Sequence, residues 1–529
     1  MVRTSTGSSR VLVIGSGVGG LCAALKLANA GAEVTVLERA AAPGGKMRAV
    51  PSPAGPIDAG PTVFTLRHVF EGLFEEVGER LEDHLTLHAE TVLARHWWPD
   101  GGKLDLYADP QASAQAVRAF AGKQGEQEFR RFCERARTLF EAFDEPVMQA
   151  GTPNLARLAT VVMRDPMRLT KAMAPLSTLA QTLARDFSDP RLRQLFGRYA
   201  TYVGGSPWRA PAILSLIWHA EAKGVWRVEG GMRALAQTLV RLAEARGAVF
   251  RYEAEATEIE VEAGAATAVR LADGERLDAD QIVFNGDPAA LRNGLLGEKP
   301  KRAVGGVGVA PRSLSAYVWT FAAKPVGADL VHHNVFFGRV QKSEFDDLHA
   351  GRMPTDPTLY ICAQDRGDGV RGTDLERFEI IMNGPAVDLG KPPPPKEFQT
   401  CQTRTLETLS SMGLRFEPEP GLDALTTPHR FAELFPGSAG SLYGRSPHGM
   451  TATFARPTAR SRIRGLYLAG GGVHPGAGVP MAAQSGRRAA EAILTDLAST
   501  SRSPRTATHG GMSTASPTTG RAPSPSSAS

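Results

Sequence analysis

The sequence predicts an α/β fold, α+β overall, and three observations carry that prediction. Residues 11–38 run from the apolar stretch "VLVIG" through a glycine turn and an Ala/Leu-rich stretch to "AEVTVLE", which is strand, helix, strand. Residues 465–494, "GLYLAGGGVHPGAGVPMAAQSGRRAAEAIL", repeat the strand, glycine loop and helix order at the far end of the chain. Between them, residues 110–200 carry helical spacing, whereas 248–285 and 312–384 return to strand character, which adds a mixed sheet and a helical layer.

The elements follow in order. The run 11–15 is short, apolar and closed by glycine, as a strand buried on both faces requires. Residues 19–30 have the spacing of a buried helix, with Cys22 a small apolar residue within it. Residues 155–186 are amphipathic with Arg and Lys on the polar positions, which suits both a packed helical layer and a surface leaning on a membrane. "ADGE" between apolar alternations near 271–277 marks a hairpin. "KPPPPK" (391–396) is a stiff exposed loop, and residues 398–414 are helical. From about Ser499 to 529 the chain is Ser, Thr, Pro and Gly, the composition of a disordered tail. Acidic residues in the helical layer, Asp165 and Asp186, are expected on solvated faces.

Composition bounds the function. At 529 residues the chain exceeds one ordinary core, so two or more domains are expected. A net charge of +5 with no Lys/Arg block gives no case for nucleic acid. The four cysteines lie far apart without a Cys-x-x-Cys pair, which argues against structural zinc and fits a reducing compartment. No secretory signal precedes the first strand and no apolar window is long enough to span a bilayer, so any membrane contact is expected to be peripheral.

The densest motif is "GSGVGG", which places Gly15, Gly17 and Gly20 in a G-x-G-x-x-G pattern. Gly15 turns the chain out of the strand, Gly17 lets backbone approach a pyrophosphate, and Gly20 lets the helix pack on the sheet. The phosphates then meet free N–H groups at a helix N-terminus. Glu38 follows Gly20 by eighteen residues, the place of an acid that binds ribose hydroxyls. A dinucleotide is therefore expected.

Downstream, Arg39, Gly45 and Lys46 lie in "ERAAAPGGKMR", and Gly60, Pro61 and Thr62 in "IDAGPTVF". This arrangement resembles the FAD-binding half of the amine oxidase and phytoene desaturase superfamily. With "VGGSPWRAP" (203–211), "GVWRVEGGMRALAQTL" (224–239) and "AGGGVHPGAGVPMA" (469–482), the chain is similar to carotenoid desaturases of the bacterial phytoene desaturase type, and within them to 1-hydroxycarotenoid 3,4-desaturases. Relatives often have proline where this chain has Val228. The resemblance implies a discontinuous Rossmann-like FAD-binding domain from 1–100, 224–290 and 455–498, a helical lid at 101–223, and a mixed-sheet substrate domain at 291–454. It implies that backbone near Ala256 reaches the adenine, that the strand ending at Asn285 and Asp287 joins the same sheet, and that Gly471, Gly472, Val479, Pro480 and Met481 approach the flavin.

The implied reaction removes a hydride and a proton from a C–C bond beside a polyene, so no Ser/His/Asp set or metal cluster is needed. His474 is the proposed proton acceptor, with a purely loop-stabilising role as its alternative. Trp208, Trp218 and Trp226 are candidates for lining a polyene tunnel, or for plain core, and Arg209 and His219 for meeting a terminal hydroxyl. The implied partners are an acyclic carotenoid, the surface of a bacterial membrane on its cytoplasmic side, and oxygen or a quinone as electron acceptor; the oligomeric state stays open. Two alternatives stand: a phytoene or neurosporene desaturase, saturase or isomerase of the same fold, and a non-enzymatic chaperone of prenylated GTPases. Intact glycine loops argue against the second.

Overall fold

The computed structural model describes residues 9–367, 375–449 and 451–502. Five strands form a parallel sheet in the order Leu466–Leu468, Gln281–Phe284, Arg10–Ile14, Glu33–Leu37, Val249–Arg251. The first strand made is thus the central one, flanked by Glu33–Leu37 from the start of the chain and by Gln281–Phe284 from its middle, with the C-terminal Leu466–Leu468 beyond the latter. Alternation divides its side chains between two cores. Val11 and Val13 join Val34, Val36 and Val283 beneath the helices Val18–Asn29, Met232–Glu244 and Val479–Arg502. Leu12 and Ile14 join Leu37, Ile282 and Phe284 against a three-stranded antiparallel sheet. Burial on both faces explains why "VLVIG" is apolar throughout.

That smaller sheet contains Ala256–Glu262, Ala265–Leu271 and Arg276–Asp278, and the "ADGE" turn joins its last two strands. Cys22 is fully buried in the first helix, as expected. A glycine lets two helices touch: a Cβ on Gly486 of the last helix would lie 1.9 Å from the carbonyl oxygen of Gly19 in the first.

The second sheet is mixed. Its order is Leu414–Glu417, Ser315–Gly327, Glu376–Gly384, Leu359–Ala363, His333–Phe336, Val92–Trp97, Lys103–Tyr107, with Leu425–Thr426 paired to Ser315–Gly327. All of its pairs are antiparallel except His333–Phe336 with Val92–Trp97. One face carries Phe378, Ile380 and Met382 into a core covered by the helix Glu397–Ser411. The other faces the cavity described below. The expected boundary at residue 100 therefore cuts a hairpin: Val92–Trp97 pairs with Lys103–Tyr107, because Leu93, Leu104 and Leu106 share one core with the following helix.

That helix, Pro110–Phe143, is capped by Asp109, which accepts from the N–H groups of Gln111 and Ala112, and it is broken at Gly122 (φ 73°). Shorter helices follow at Leu155–Arg164, Pro166–Met173, Leu179–Asp186, Pro190–Gly197 and Leu216–Ala222. The two acids expected on solvated faces are both engaged. Asp165 caps a helix by accepting from Arg168 N–H at 3.1 Å, and Asp186 pairs with Arg135 at 2.7 Å. At the C-terminal end, Ser499–Arg502 continue the last helix, which moves the start of the expected tail; residues 503–529 lie outside the described residues.

Candidate active site

A cavity of about 1230 Å³ runs between the two sheets, and Gly17 and Gly472 both line it. The two glycine loops therefore converge on one elongated cleft. Its volume exceeds the roughly 300–1,000 Å³ of pockets for drug-sized ligands, leaving room for a dinucleotide and a second molecule.

The first loop is shaped by what a side chain would hit. Gly15 (φ 95°) donates its N–H to Leu37 at 2.8 Å, and a Cβ on Gly20 would lie 2.2 Å from the Gly15 carbonyl oxygen. Gly20 itself does not line the cavity; its role is close helix packing. Glu38 accepts from the N–H and hydroxyl of Ser16 at 2.8 and 2.7 Å and from Ala40 N–H at 2.9 Å. A carboxylate has about four acceptor positions, so one is left for a ribose hydroxyl while the others hold the loop. The Gly44–Gly45 pair lies against this loop, with Gly44 N–H donating to Ser16 at 2.9 Å. Arg39, Gly45, Lys46, Gly60, Pro61, Thr62 and Ala256 all line the cavity. A Cβ on Gly60 would sit 1.9 Å from the Lys46 carbonyl oxygen, so this segment too is packed through backbone. Lys46 donates to the carbonyl of Leu442, and burial pulls its ammonium down to about 8.

The second loop faces the same space. Gly471, Gly472, Val479 and Pro480 line the cavity, so the start of the last helix opens onto it. Met481 does not: one step around the helix, it packs against the core of the first helix. Two residues that the sequence reading did not single out as ligands or clamps hold the loops together. Asn285 donates through its side-chain amide to the carbonyls of Gly15 and Gly17 at 3.1 and 3.3 Å. Arg456, buried, donates to the carbonyls of Gly471, Tyr443 and Arg445 at 2.9, 3.0 and 3.0 Å, and burial lowers its guanidinium to about 10. The signal for Asn285 was its place at the end of a strand in "VFNGDP"; a lone arginine in "FARP" carries none.

The proposed proton acceptor and substrate residues fall elsewhere. His474 is absent from the cavity wall; its Nε2 lies 3.0 Å from the Ala150 carbonyl, linking the loop to the helical layer. Trp218 is core, edge-on to Phe196 and Tyr199, and donates to Cys133 Sγ at 3.2 Å. Trp208 packs on Phe345, His219 on Phe140, and Trp226 sits in a short strand against the first core. Arg209 and these four do not line the cavity. Among the residues that do so are aromatic and polar side chains of the second sheet, of the helical segments Arg198–Val203 and Pro428–Leu434, and of nearby loops: Tyr202, Tyr360, Glu379, Phe431 and Tyr443.

Residues 18–494 match the family of flavin-containing amine oxidoreductases. The chain belongs to that family. It is 55% identical to the hydroxyneurosporene desaturase of Cereibacter sphaeroides, over 93% of this chain and 99% of that one. It is 52% identical to the enzyme of the same name from Rhodobacter capsulatus, over 93% and 99%. It also resembles the solved structure of a putrescine oxidase triple mutant (TM-score 0.57, 13% identity, 92% of this chain and 99% of that one), a likeness of fold alone. FAD is the cofactor of this oxidoreductase, and the residues fit it: paired glycine loops that a Cβ would close, a Glu38 with one acceptor position left for a ribose, and two helix N-termini for negative charge.

Proposed function

We propose that this flavoenzyme is a carotenoid desaturase that introduces the C3–C4 double bond into acyclic 1-hydroxy or 1-methoxy carotenoids. The observation that carries this reading is identity above half, across nearly the full length, to hydroxyneurosporene desaturases; identity to the 4,4'-diapolycopene oxygenase of Methylomonas is 29%. Bound FAD supplies the hydride acceptor. The chain holds it through the first loop and Glu38 at the adenosine end and through Gly472 and Val479–Pro480 at the other, while the walls of the cleft exclude water and align the polyene. An allylic C–H bond is already activated by its polyene, so alignment and proton removal are what remain for the protein.

The substrate dissolves in bilayers, and no helix among the described residues is long and apolar enough to cross one. The helical layer offers a surface for lateral contact: Leu155, Met163, Met167 and Leu176 are 60%, 74%, 83% and 89% exposed, beside Arg157, Arg164, Arg168 and Lys171. Leu158 and Leu169 of these helices are buried, so the exposed apolar side chains lie outside their packed positions, with Leu176 in the turn that follows. The reading places the enzyme peripherally on the cytoplasmic face of the membrane, delivering electrons to oxygen or a quinone.

The test is purified holoenzyme with 1-hydroxyneurosporene or phytoene in liposomes of anionic lipid. A red-shifted product from the first and none from the second is expected; turnover of phytoene alone overturns the substrate assignment.

A further inference from the structure

Proton removal needs an acceptor that faces the substrate, and His474 does not. The strand Glu376–Gly384 supplies another. Its even-numbered residues Phe378, Ile380 and Met382 fill the core, so Glu379, Ile381 and Asn383 line the opposite face, over the cavity. Asn383 is engaged, donating to Glu344 at 2.8 Å. Glu379 is fully buried, and neither of its carboxyl oxygens has a hydrogen-bond partner among the described residues. A buried carboxyl in that state costs stability that packing does not recover. Such groups cluster where chemistry requires them.

The neighbours of Glu379 define its environment. Thr320 and Cys362 stand opposite it on the flanking strands. Asp58 and Arg48, from the segment after the first glycine loops, act on it with opposite sign, and Tyr360, Cys362 and Tyr443 feel its charge. Arg48 donates through one Nη to Thr426 at 3.0 Å, and its buried Nε has no hydrogen-bond partner among the described residues. Burial, the dominant influence, holds the Glu379 carboxyl well above the ordinary carboxylate range, ahead of repulsion from Asp58. A carboxylate formed there is a far stronger base than one in water.

We propose that Glu379 is the proton acceptor of the desaturation, an inference that rests on the desaturase reading. One C–H bond of the substrate breaks with its electron pair leaving as hydride to the bound flavin. The C–H bond on the adjacent carbon breaks with its proton passing to a Glu379 carboxylate oxygen, and the electrons of that bond become the new π bond. Substrate is oxidised by two electrons, the flavin is reduced by two, and Glu379 carries the proton until it is lost to solvent.

The experiment compares wild type with Glu379→Gln and Glu379→Asp as FAD holoenzymes, with three readouts. The first is flavin retained on gel filtration, expected within twofold in both variants. The second is infrared difference spectroscopy of substrate-free enzyme during pH titration: wild type shows the carbonyl band of a protonated carboxyl that fades as pH rises, and Glu379→Gln lacks it. The third is anaerobic flavin bleaching by 1-hydroxyneurosporene. Its rate rises with pH in wild type, falls about 100-fold or more in Glu379→Gln, and recovers partly in Glu379→Asp with a profile shifted to lower pH. If Glu379→Gln loses flavin, the shifted profile of Glu379→Asp decides. Bleaching within threefold of wild type in Glu379→Gln, or an unshifted profile in Glu379→Asp, overturns the proposal alone. A wild type that no hydroxycarotenoid bleaches overturns the substrate reading and the proposal with it.

Discussion

The cleft has two sides built by different means. Its cofactor side is mostly backbone: glycines at 15, 60 and 472 sit where a Cβ is strained or would strike main chain or proline within about 2.5 Å. Its substrate side is mostly side chains, projecting from alternate positions of strands in the second sheet, with Tyr360, Glu379 and Ile381 as the central examples. The first side recognises a cofactor shared across a family, through hydrogen-bonding groups every residue has. The second offers groups that only particular residues carry. A binding surface made by the absence of side chains tolerates almost no substitution, whereas one made by their presence is open to retuning position by position.

Four variants probe that contrast, from the largest expected effect to the smallest. Behind the cofactor side, Arg456 is a buried charged side chain that holds three carbonyls. Arg456→Met leaves them without a donor, at a cost of about 1–3 kcal/mol for each one that water does not reach. Thermal unfolding of the holoenzyme should show the largest drop of the set, together with flavin loss. Gly20→Ala forces the helix start away from Gly15, a strain of about 1–3 kcal/mol. It should weaken flavin binding about ten- to hundredfold by fluorescence titration without changing the product of the enzyme that still binds; an altered product would break the division between the two sides.

Lys46 gives the pH test. Its folded-state value of about 8 lies below that of an unfolded lysine, so between pH 8 and roughly 10.5 the unfolded chain holds a proton that the folded chain has lost. Stability of flavin-free protein should therefore rise with pH across that window relative to Lys46→Met, as denaturant unfolding of the two proteins side by side would show. Trp218→Phe should do least. It loses the donor to Cys133 and some packing, about 1 kcal/mol, and KM and product spectrum should stay within twofold of wild type, since the residue is core and not cleft.

What was legible in the sequence follows the same contrast. Gly15, Gly17 and Glu38 were readable because a turn, a close approach and an acid after a strand leave one-letter traces at fixed spacing. The mixed sheet was readable as strand character, and its cavity face was not. "ERFEIIMNG" is apolar at both parities around Ile380 and Ile381, so nothing in it says that Glu379 points at a ligand rather than at solvent. Tryptophans drew the substrate assignment by size, but Trp218 is largest where the helical layer needs filling. His474 drew the proton-acceptor assignment by position in the loop, yet its buried ring turns away from the cavity to Ala150. Met481 shows the remaining limit: adjacency to Pro480 in sequence is a turn of about 100° on a helix.

Finally, the placement of Leu466–Leu468 and the last helix has a consequence for how the enzyme is made. The wall that closes the flavin site, from Gly470 to Pro480, is translated about 450 residues after the first glycine loop. At roughly 5–20 residues per second that delay is on the order of 20–90 seconds. Throughout it, the central strand lacks its Gln281–Phe284 neighbour for more than half the time, and the first helix lacks the partner that Gly486 lets in. Cofactor loading therefore waits for the last helix, and a chain truncated before it that keeps the whole G-x-G-x-x-G motif should emerge colourless.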